Sequence, residues 1–278
     1  MSACNAADGP TTVHTAPEPP TCETPHDPSV ACGARRLAGL ADTCELMAAT
    51  FAYPADGRLA AALADGSYMQ DARGCLADAG LCGEGVERGL ACVAGFVGQD
   101  AEALADRLRK GHSLLFLAPG AEVPVWPYEA AFRFVAQGRP GAPSLFRSPV
   151  ELDVERHMRQ AGVMPEHGRT EPPDSVWNEL SFMAYLLAQA ALRAPGERGS
   201  GDNEAQVWLD RARAMTCEHL VVWLPAFMEK TAEEASSGRH AFGAEYAALA
   251  QLGTLAWQAL AEGLGSSGEV GWDAPELA

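Results

Sequence analysis

Three polar side chains that lie far apart in the sequence could together do acid–base chemistry. Glu129 and Asp174 supply carboxylates, and His219 supplies an imidazole, the side chain whose ordinary pKa is nearest to neutral pH. Such groups act as general acids and bases when a fold brings them into one pocket. An all-α enzyme with a polar centre at these three residues is therefore one hypothesis for this chain. The adjacent pair Glu218-His219 is by itself more typical of a helix surface.

Local motifs for catalysis or metal binding are missing from the sequence. It has no GxSxG, no Walker A, no HExxH and no GxGxxG after a predicted strand. The seven histidines are scattered, and no two of them show metal-ligand spacing. The acidic pairs Glu233-Glu234 and Glu122/Glu129 are not accompanied by the ExxH motifs that carboxylate-bridged metal sites carry on their helices. We therefore predict no catalytic residue, no metal site and no cofactor.

The composition excludes further classes of function. The chain has 37 acidic against 20 basic residues and a formal net charge of -17, which repels phosphate backbones and favours cationic partners. No apolar run approaches the roughly 20 residues of a membrane span, and the N-terminus has neither region of a secretory signal. We expect a cytoplasmic protein that neither binds nucleic acid nor inserts stably into a membrane.

The eight cysteines include no CxxC pair, so we expect free thiols in a reducing compartment. Cys22, His26 and Cys32 could in principle hold a metal ion. They lie in a segment rich in proline and threonine, without a second motif to complete a site. The metal interpretation of these three residues is therefore not favoured.

The hydrophobic pattern has the period of helices almost throughout and predicts an all-α fold. Residues 1–30 are rich in proline and poor in large apolar side chains, which predicts a disordered tail. Residues 31–262 form the predicted helical domain, with subregions at about 31–140 and 148–262 joined by the hinge GRPGAPS, and 263–278 form a C-terminal tail. Predicted helices begin near residues 35, 57, 68, 84, 100, 149, 175, 202 and 239. Ser148 and Glu151 form a predicted capping box.

Aromatic and aliphatic side chains gather around the proline-rich loop APGAEVPVWPYE. Leu115 and Phe116 precede the loop, Trp126 and Tyr128 lie in it, and Phe132 follows. Leu115 and Phe132 are typical of residues that anchor a loop to a core. Trp126, between prolines, is harder to bury completely, and an aromatic side chain beside acids suits recognition of an apolar, cationic peptide.

Three segments of the chain carry a family resemblance. LLFLAPG…PYEAAF resembles the "LF-x-GPG…P-Y-E-S-x-Y" segment of the TorD/DmsD/NarJ family of cytoplasmic redox-enzyme maturation chaperones. PPDSVWNELSFMAYL resembles the family's "PDH-x-x-x-EL-x-FM" signature, and HLVVWLPAF is similar to its "HL-x-x-WLP-x-F" segment. All three agree in order and spacing, and the likeness spans about residues 35–260.

The resemblance implies a TorD-type helical bundle without catalytic activity. Its partner would be the apo form of a molybdoenzyme catalytic subunit, a molybdopterin oxidoreductase, and that subunit's twin-arginine signal peptide. The chaperone would hold this partner back from export until the cofactor is inserted. A permanent assembly subunit of the oxidoreductase is a further alternative. The chain would be a monomer, or a homodimer if the hinge allows domain exchange.

The resemblance also implies which residues bind the peptide. These positions are Leu115, Phe116, Tyr128, Glu129, Pro173 and Asp174. Trp126 of the proline-rich loop completes the predicted peptide site. Supporting positions of the signature are Glu179, Leu180, Phe182 and Met183. Three positions depart from the pattern, because Ser175 replaces a histidine, Ala118 a glycine and Ala130 a serine.

The approach Pro172-Pro173-Asp174 has a physical interpretation of its own. We expect the Asp174 carboxylate to cap the following helix and also to face a groove, since helix N-termini attract negative charge. Asp174, Glu129 and Phe116 should then line one apolar cleft edged by carboxylates. A stripe of Trp177, Leu180, Ala184 and Leu187 should face the core.

Overall fold

The computed structural model describes residues 28–118, 122–165, 171–194 and 202–265; of residues 28–32 and 202–203 it describes the backbone alone. Within these ranges the fold is all-α, as predicted. Eleven α-helices follow one another: α1 Pro28–Phe51, α2 Arg58–Asp65, α3 Ser67–Asp78, α4 Glu84–Ala94, α5 Ala101–His112, α6 Glu129–Ala136, α7 Pro149–Gln160, α8 Val176–Arg193, α9 Asp202–Met215, α10 Val221–Ser236 and α11 Glu245–Leu264. Two π-helical turns extend this framework, Ser113–Leu117 after α5 and Thr216–Leu220 between α9 and α10.

Helix α8 forms the centre of the bundle. It packs along α1 on one side and α9 on another, while α10 packs along α11, which also contacts α1 and α4. Of the predicted stripe, Leu180, Ala184 and Leu187 are buried and Trp177 is half-buried. Apolar residues on other faces of α8, such as Met183, are buried too. Helices from both predicted subregions therefore contribute to one hydrophobic core.

Local capping rules explain several helix starts. Asp100 accepts the Ala103 backbone N–H at 2.8 Å and begins α5. Ser148 and Glu151 form the predicted capping box at the start of α7, with Pro149 at the first helical position. A close approach also needs a small residue, because a Cβ on Gly39 of α1 would overlap with the backbone at the end of α3.

Three predictions about the elements need correction. α1 begins at Pro28, inside the segment predicted as a tail. Outside the described residues lie the rest of that segment, with Cys22 and His26, and the predicted C-terminal tail from residue 266. The helix predicted from residue 202 onwards ends at Met215 and passes through a π-helical turn before α10, which contains Pro225. The last helix begins at Glu245 instead of Arg239, after a turn with Gly243 at φ 113°. None of the helices in the described ranges is long and apolar enough to cross a bilayer.

Candidate functional site

Two of the predicted site residues belong to an aromatic cluster in the core. Leu115 and Phe116 are 0% and 1% exposed. The Phe116 ring stacks on Phe227 at 5.9 Å between centroids and meets Tyr246 edge-on at 5.3 Å. The Leu115 carbonyl accepts the Val125 N–H at 3.0 Å, so the π-helical turn after α5 anchors the proline-rich loop. In this conformation the two residues lie in the core beneath the proline-rich loop and are not part of the molecular surface.

Trp126 lies on that surface. It lines a cleft of about 250 Å³ between the proline-rich loop, α6 and α10. The lining is mostly apolar, with three charged residues on α10: Pro124, Val125, Trp126, Phe132, Val135, Ala136, Ala226, Glu229, Lys230 and Glu233. Glu229 and Glu233 are exposed, and the Lys230 ammonium is held by Glu233 at 3.1 Å and Glu234 at 3.0 Å. The cleft therefore combines apolar walls with free carboxylate charge.

Backbone hydrogen bonds tie the proline-rich loop to the start of α8. Tyr128 and Ser175 form an isolated antiparallel bridge, in which the Glu129 N–H donates to the Asp174 carbonyl at 2.8 Å and the Val176 N–H to the Pro127 carbonyl at 2.9 Å. The Tyr128 ring is half-buried and lies edge-on to Trp177 at 5.9 Å. The sequence alone predicted no pairing here, since prolines flank the VPVW segment.

The expected cap of α8 by Asp174 is wrong. Ser175 begins this helix and accepts the Asn178 N–H at 3.3 Å. Asp174 instead accepts the Ala130 N–H at 2.9 Å, so its carboxylate caps α6, whose N-cap residue Tyr128 makes no side-chain cap hydrogen bond. Ser175 takes the local role because it precedes the first helical residue in an extended conformation, at φ -73° and ψ 147°. Asp174 and Ser175 of the PPDSVWNEL segment therefore cap two different helices, α6 and α8, and hold their starts together.

A buried acidic network lies behind this junction. Glu129 is fully buried, and its carboxylate binds Arg133 at 2.7 Å and His219 Nδ1 at 2.7 Å. Glu179 is also fully buried and accepts the Trp223 indole N–H at 2.9 Å. Burial raises the pKa of Glu179 well above its usual range, and the nearby Glu129 raises it further.

Asp174 belongs to the same network. It is 1% exposed, and burial raises its pKa to about 7, against the lowering effect of the Ala130 N–H. Its Oδ1 atom has no hydrogen-bond partner in the described ranges. Pro173 beside it is buried as well. Glu179 was expected only as a supporting residue. Its indole donor Trp223 lies in the HLVVWLPAF segment but had no predicted role at the site.

The structure brings the three distant polar residues of the enzyme hypothesis together, although not in an open pocket. Glu129 contacts His219 directly and raises the pKa of Asp174 through its charge. All three residues are at most 2% exposed. Phe116 faces the aromatic cluster instead, so the expectation that Asp174, Glu129 and Phe116 line one accessible cleft is wrong for this conformation. The accessible cleft lies next to them, at Trp126.

Comparison with known proteins supports the resemblance. The family model described as nitrate reductase delta subunit matches residues 82–229, more than half of the chain. The matched range runs from just before α4 into α10 and includes every predicted site residue. Neither the curated proteins nor the solved structures gave a match.

Proposed function

Because the chain belongs to the nitrate reductase delta subunit family, and so to the redox-enzyme maturation chaperones, we propose that it binds the apo form of a molybdopterin oxidoreductase in the cytoplasm. The bound element is the twin-arginine signal peptide of the catalytic subunit. Binding delays export until the molybdenum cofactor has been inserted. The chaperone itself contributes no catalysis.

The observation that carries this proposal is the cleft at Trp126. A twin-arginine leader has basic residues followed by an apolar stretch, so its receptor needs an apolar groove beside uncompensated acids. Trp126, Val135 and Ala226 supply the apolar walls. Glu229 lies at the edge without an ion-pair partner among the described residues, beside Glu233, which already binds Lys230 at 3.1 Å. The overall charge of -17 adds long-range attraction for such a peptide.

The remaining predicted residues fit the proposal in two roles. Tyr128 is half-buried and follows Trp126 by two residues, so we assign it to the same contact surface. Glu129, Pro173 and Asp174 are buried and hold the loop against the starts of α6 and α8. Leu115 and Phe116 fix the same loop from the core side. A peptide at the cleft therefore meets a surface whose shape these buried residues determine.

The experiment is a titration of labelled twin-arginine leader peptides of molybdopterin oxidoreductases, followed by fluorescence anisotropy at low salt. We expect saturable binding that weakens as salt is added, because exposed charges are screened. Trp126→Ala should weaken binding by about tenfold or more, the loss typical of a central aromatic contact of above about 1.4 kcal/mol.

Two matched variants control for general effects. Trp208 is also half-buried but lies away from the cleft, between Arg193 and Arg211, so Trp208→Ala should bind like the wild type. Glu229→Gln/Glu233→Gln should reduce the salt dependence, whereas Glu262→Gln, an exposed acid near the end of α11, should not. Equal loss in Trp126→Ala and Trp208→Ala, or no binding of any leader, would count against the proposal.

A further inference from the structure

Four potential metal ligands meet on the face of the molecule formed by α7 and the π-helical turn Thr216–Leu220. Asp153 and His157 are one helical turn apart on α7, and Glu218 and His219 are adjacent in the π-helical turn. Adjacent residues of a regular helix point in directions about 100° apart. Here both reach α7, since Glu218 contacts His157 and His219 contacts Asp153. Such π-helical turns are frequent at functional sites.

The distances are close to those of a coordination sphere. One oxygen or nitrogen atom from each side chain lies within 4.8 Å of the other three. His157 Nε2 is 3.2 Å from Glu218 Oε2, and His219 Nε2 is 3.4 Å from Asp153 Oδ2. A tetrahedral ion with bonds of about 2.0–2.2 Å separates its ligand atoms by roughly 3.3–3.6 Å. The His219–Asp153 distance falls in this range and the His157–Glu218 distance lies just below it. The half-exposed carboxylates can move to adjust the remaining distances.

His219 provides an observation that is independent of the acids. The residue is 2% exposed, and among the described residues Nε2 has no hydrogen-bond partner although it faces Asp153. A buried polar atom in this state is uncommon in native proteins. The other ring nitrogen, Nδ1, lies 2.7 Å from the Glu129 carboxylate. With the proton on Nδ1, the lone pair of Nε2 points toward the other three side chains.

This arrangement has the outer contacts of a metal site as well. A metal-binding histidine usually donates its second N–H to a carboxylate, which fixes the ring and raises its basicity. Glu129 is such an acceptor for His219 Nδ1, and the Glu129 carboxylate is itself held by Arg133 at 2.7 Å. The two imidazoles are buried behind the two carboxylates, whose side chains are 39% and 50% exposed, so an ion can enter from solvent.

One cation already competes for the cluster. The Arg156 guanidinium donates to Asp153 at 2.7 Å and lies 3.2 Å from His157 Nε2 and 3.6 Å from Glu218. Its side chain is 47% exposed, so it can turn toward solvent when an ion enters. The site is then expected to bind metal more tightly without this arginine, since a like charge is removed.

We propose that Asp153, His157, Glu218 and His219 bind a divalent transition-metal ion of the zinc class. Two imidazoles and two carboxylates suit Zn²⁺ and Co²⁺ and are a poor match for Mg²⁺ or Ca²⁺, which take oxygen ligands. The site is separate from the peptide cleft and does not depend on peptide binding. A bound ion would link α7 directly to the π-helical turn Thr216–Leu220. The hydrogen bond from His219 to Glu129 connects this turn to the start of α6, which follows the proposed recognition loop.

The test uses the full chain, freed of metal by chelation, titrated with Zn²⁺ calorimetrically and with Co²⁺ by its visible d–d absorption. We expect one ion per chain and Co²⁺ bands of four-coordinate intensity. His157→Ala should weaken binding by more than about 100-fold, beyond the 10–100-fold typical of the contacts that orient a ligand. Asp153→Asn and Glu218→Gln remove ligands at exposed positions and should weaken binding without disturbing the fold.

The controls decide between this site and its competitors. Arg156→Gln should tighten binding, and His240→Ala, a half-buried histidine beside Glu234, should leave it unchanged. The double variant Cys22→Ser/Cys32→Ser removes the other thiols that the sequence offers as metal ligands. It should also leave binding unchanged if the ion lies at Asp153, His157, Glu218 and His219. The proposal is overturned by the absence of stoichiometric binding, by binding that survives all three ligand variants, or by loss of binding in the cysteine variant.

Discussion

Replacing Asp174 by asparagine should change how the stability of the protein depends on pH. Asp174 is 1% exposed, its Oδ2 accepts the Ala130 N–H at 2.9 Å, and burial raises its pKa to about 7. Asparagine has nearly the same shape, and its carbonyl oxygen can keep the Ala130 hydrogen bond. The substitution therefore removes mainly the titration.

The sign and the size follow from linkage. The unfolded pKa of an aspartate is about 3.9, so between about pH 4 and pH 7 the folded state holds a proton that the unfolded state has released. Stability falls as the pH rises through this window, and above pH 7 the full cost of burying the charge is present. A difference of about 3 pKa units corresponds to about 4 kcal/mol. The wild type should lose about this much stability relative to Asp174→Asn between pH 4 and pH 8.

The assay is urea unfolding followed by circular dichroism at several pH values between 4 and 8. A control of opposite sign is Asp106→Asn, because a hydrogen bond from Arg109 lowers the pKa of this exposed carboxylate. Asp106 stabilises the folded state at neutral pH and loses this effect as the pH falls, so the Asp106→Asn curve should approach the wild-type curve in acid. Parallel curves for wild type and Asp174→Asn would refute the account of Asp174 as a buried, proton-binding carboxyl.

Two further predictions concern packing and the buried network. Gly39→Ala should destabilise the protein by about 1–3 kcal/mol in urea unfolding, because the new methyl group overlaps with the backbone at the end of α3. The control Gly33→Ala, which has open space around it in the same helix, should be neutral or stabilising. Trp223→Phe should lower the free energy of unfolding by about 2–4 kcal/mol, since it leaves the buried Glu179 carboxyl without its indole donor and adds a small cavity. The control Trp208→Phe, at a half-buried position, should lower it by less than about 1 kcal/mol. Similar losses for both variants would contradict the role of the indole.

Much of the helical framework was predictable because it depends on local physics. The periodic stripe of α1, the Asp100 cap and the Ser148–Glu151 box each involve residues within one or two helical turns. The burial of Leu115 agrees with its expected role as an anchor of the loop, whereas Phe116 was expected to line the cleft and is buried as well. The two π-helical turns were missed, since a single five-residue turn is too short to show a change of period in the sequence.

The candidate sites were less predictable because they depend on contacts between distant segments. Asp174 and Ser175 are both good capping residues, and only the bridge to Tyr128 turns Asp174 toward α6. His157 and His219 are 5.3 Å apart between ring centroids, yet the sequence showed them as isolated histidines. One local signal existed, since Asp153 and His157 have the i, i+4 spacing of two ligands on one helix face.

The most direct test of the proposed chaperone role compares two forms of one partner. The purified chain would be mixed with the catalytic subunit of a molybdopterin oxidoreductase, either free of cofactor with its signal peptide or fully loaded, and complexes separated by size-exclusion chromatography. We predict a complex with the apo subunit that Trp126→Ala weakens, and none with the loaded subunit. Equal co-elution with both forms would identify a permanent subunit, and no complex with either would contradict the proposal.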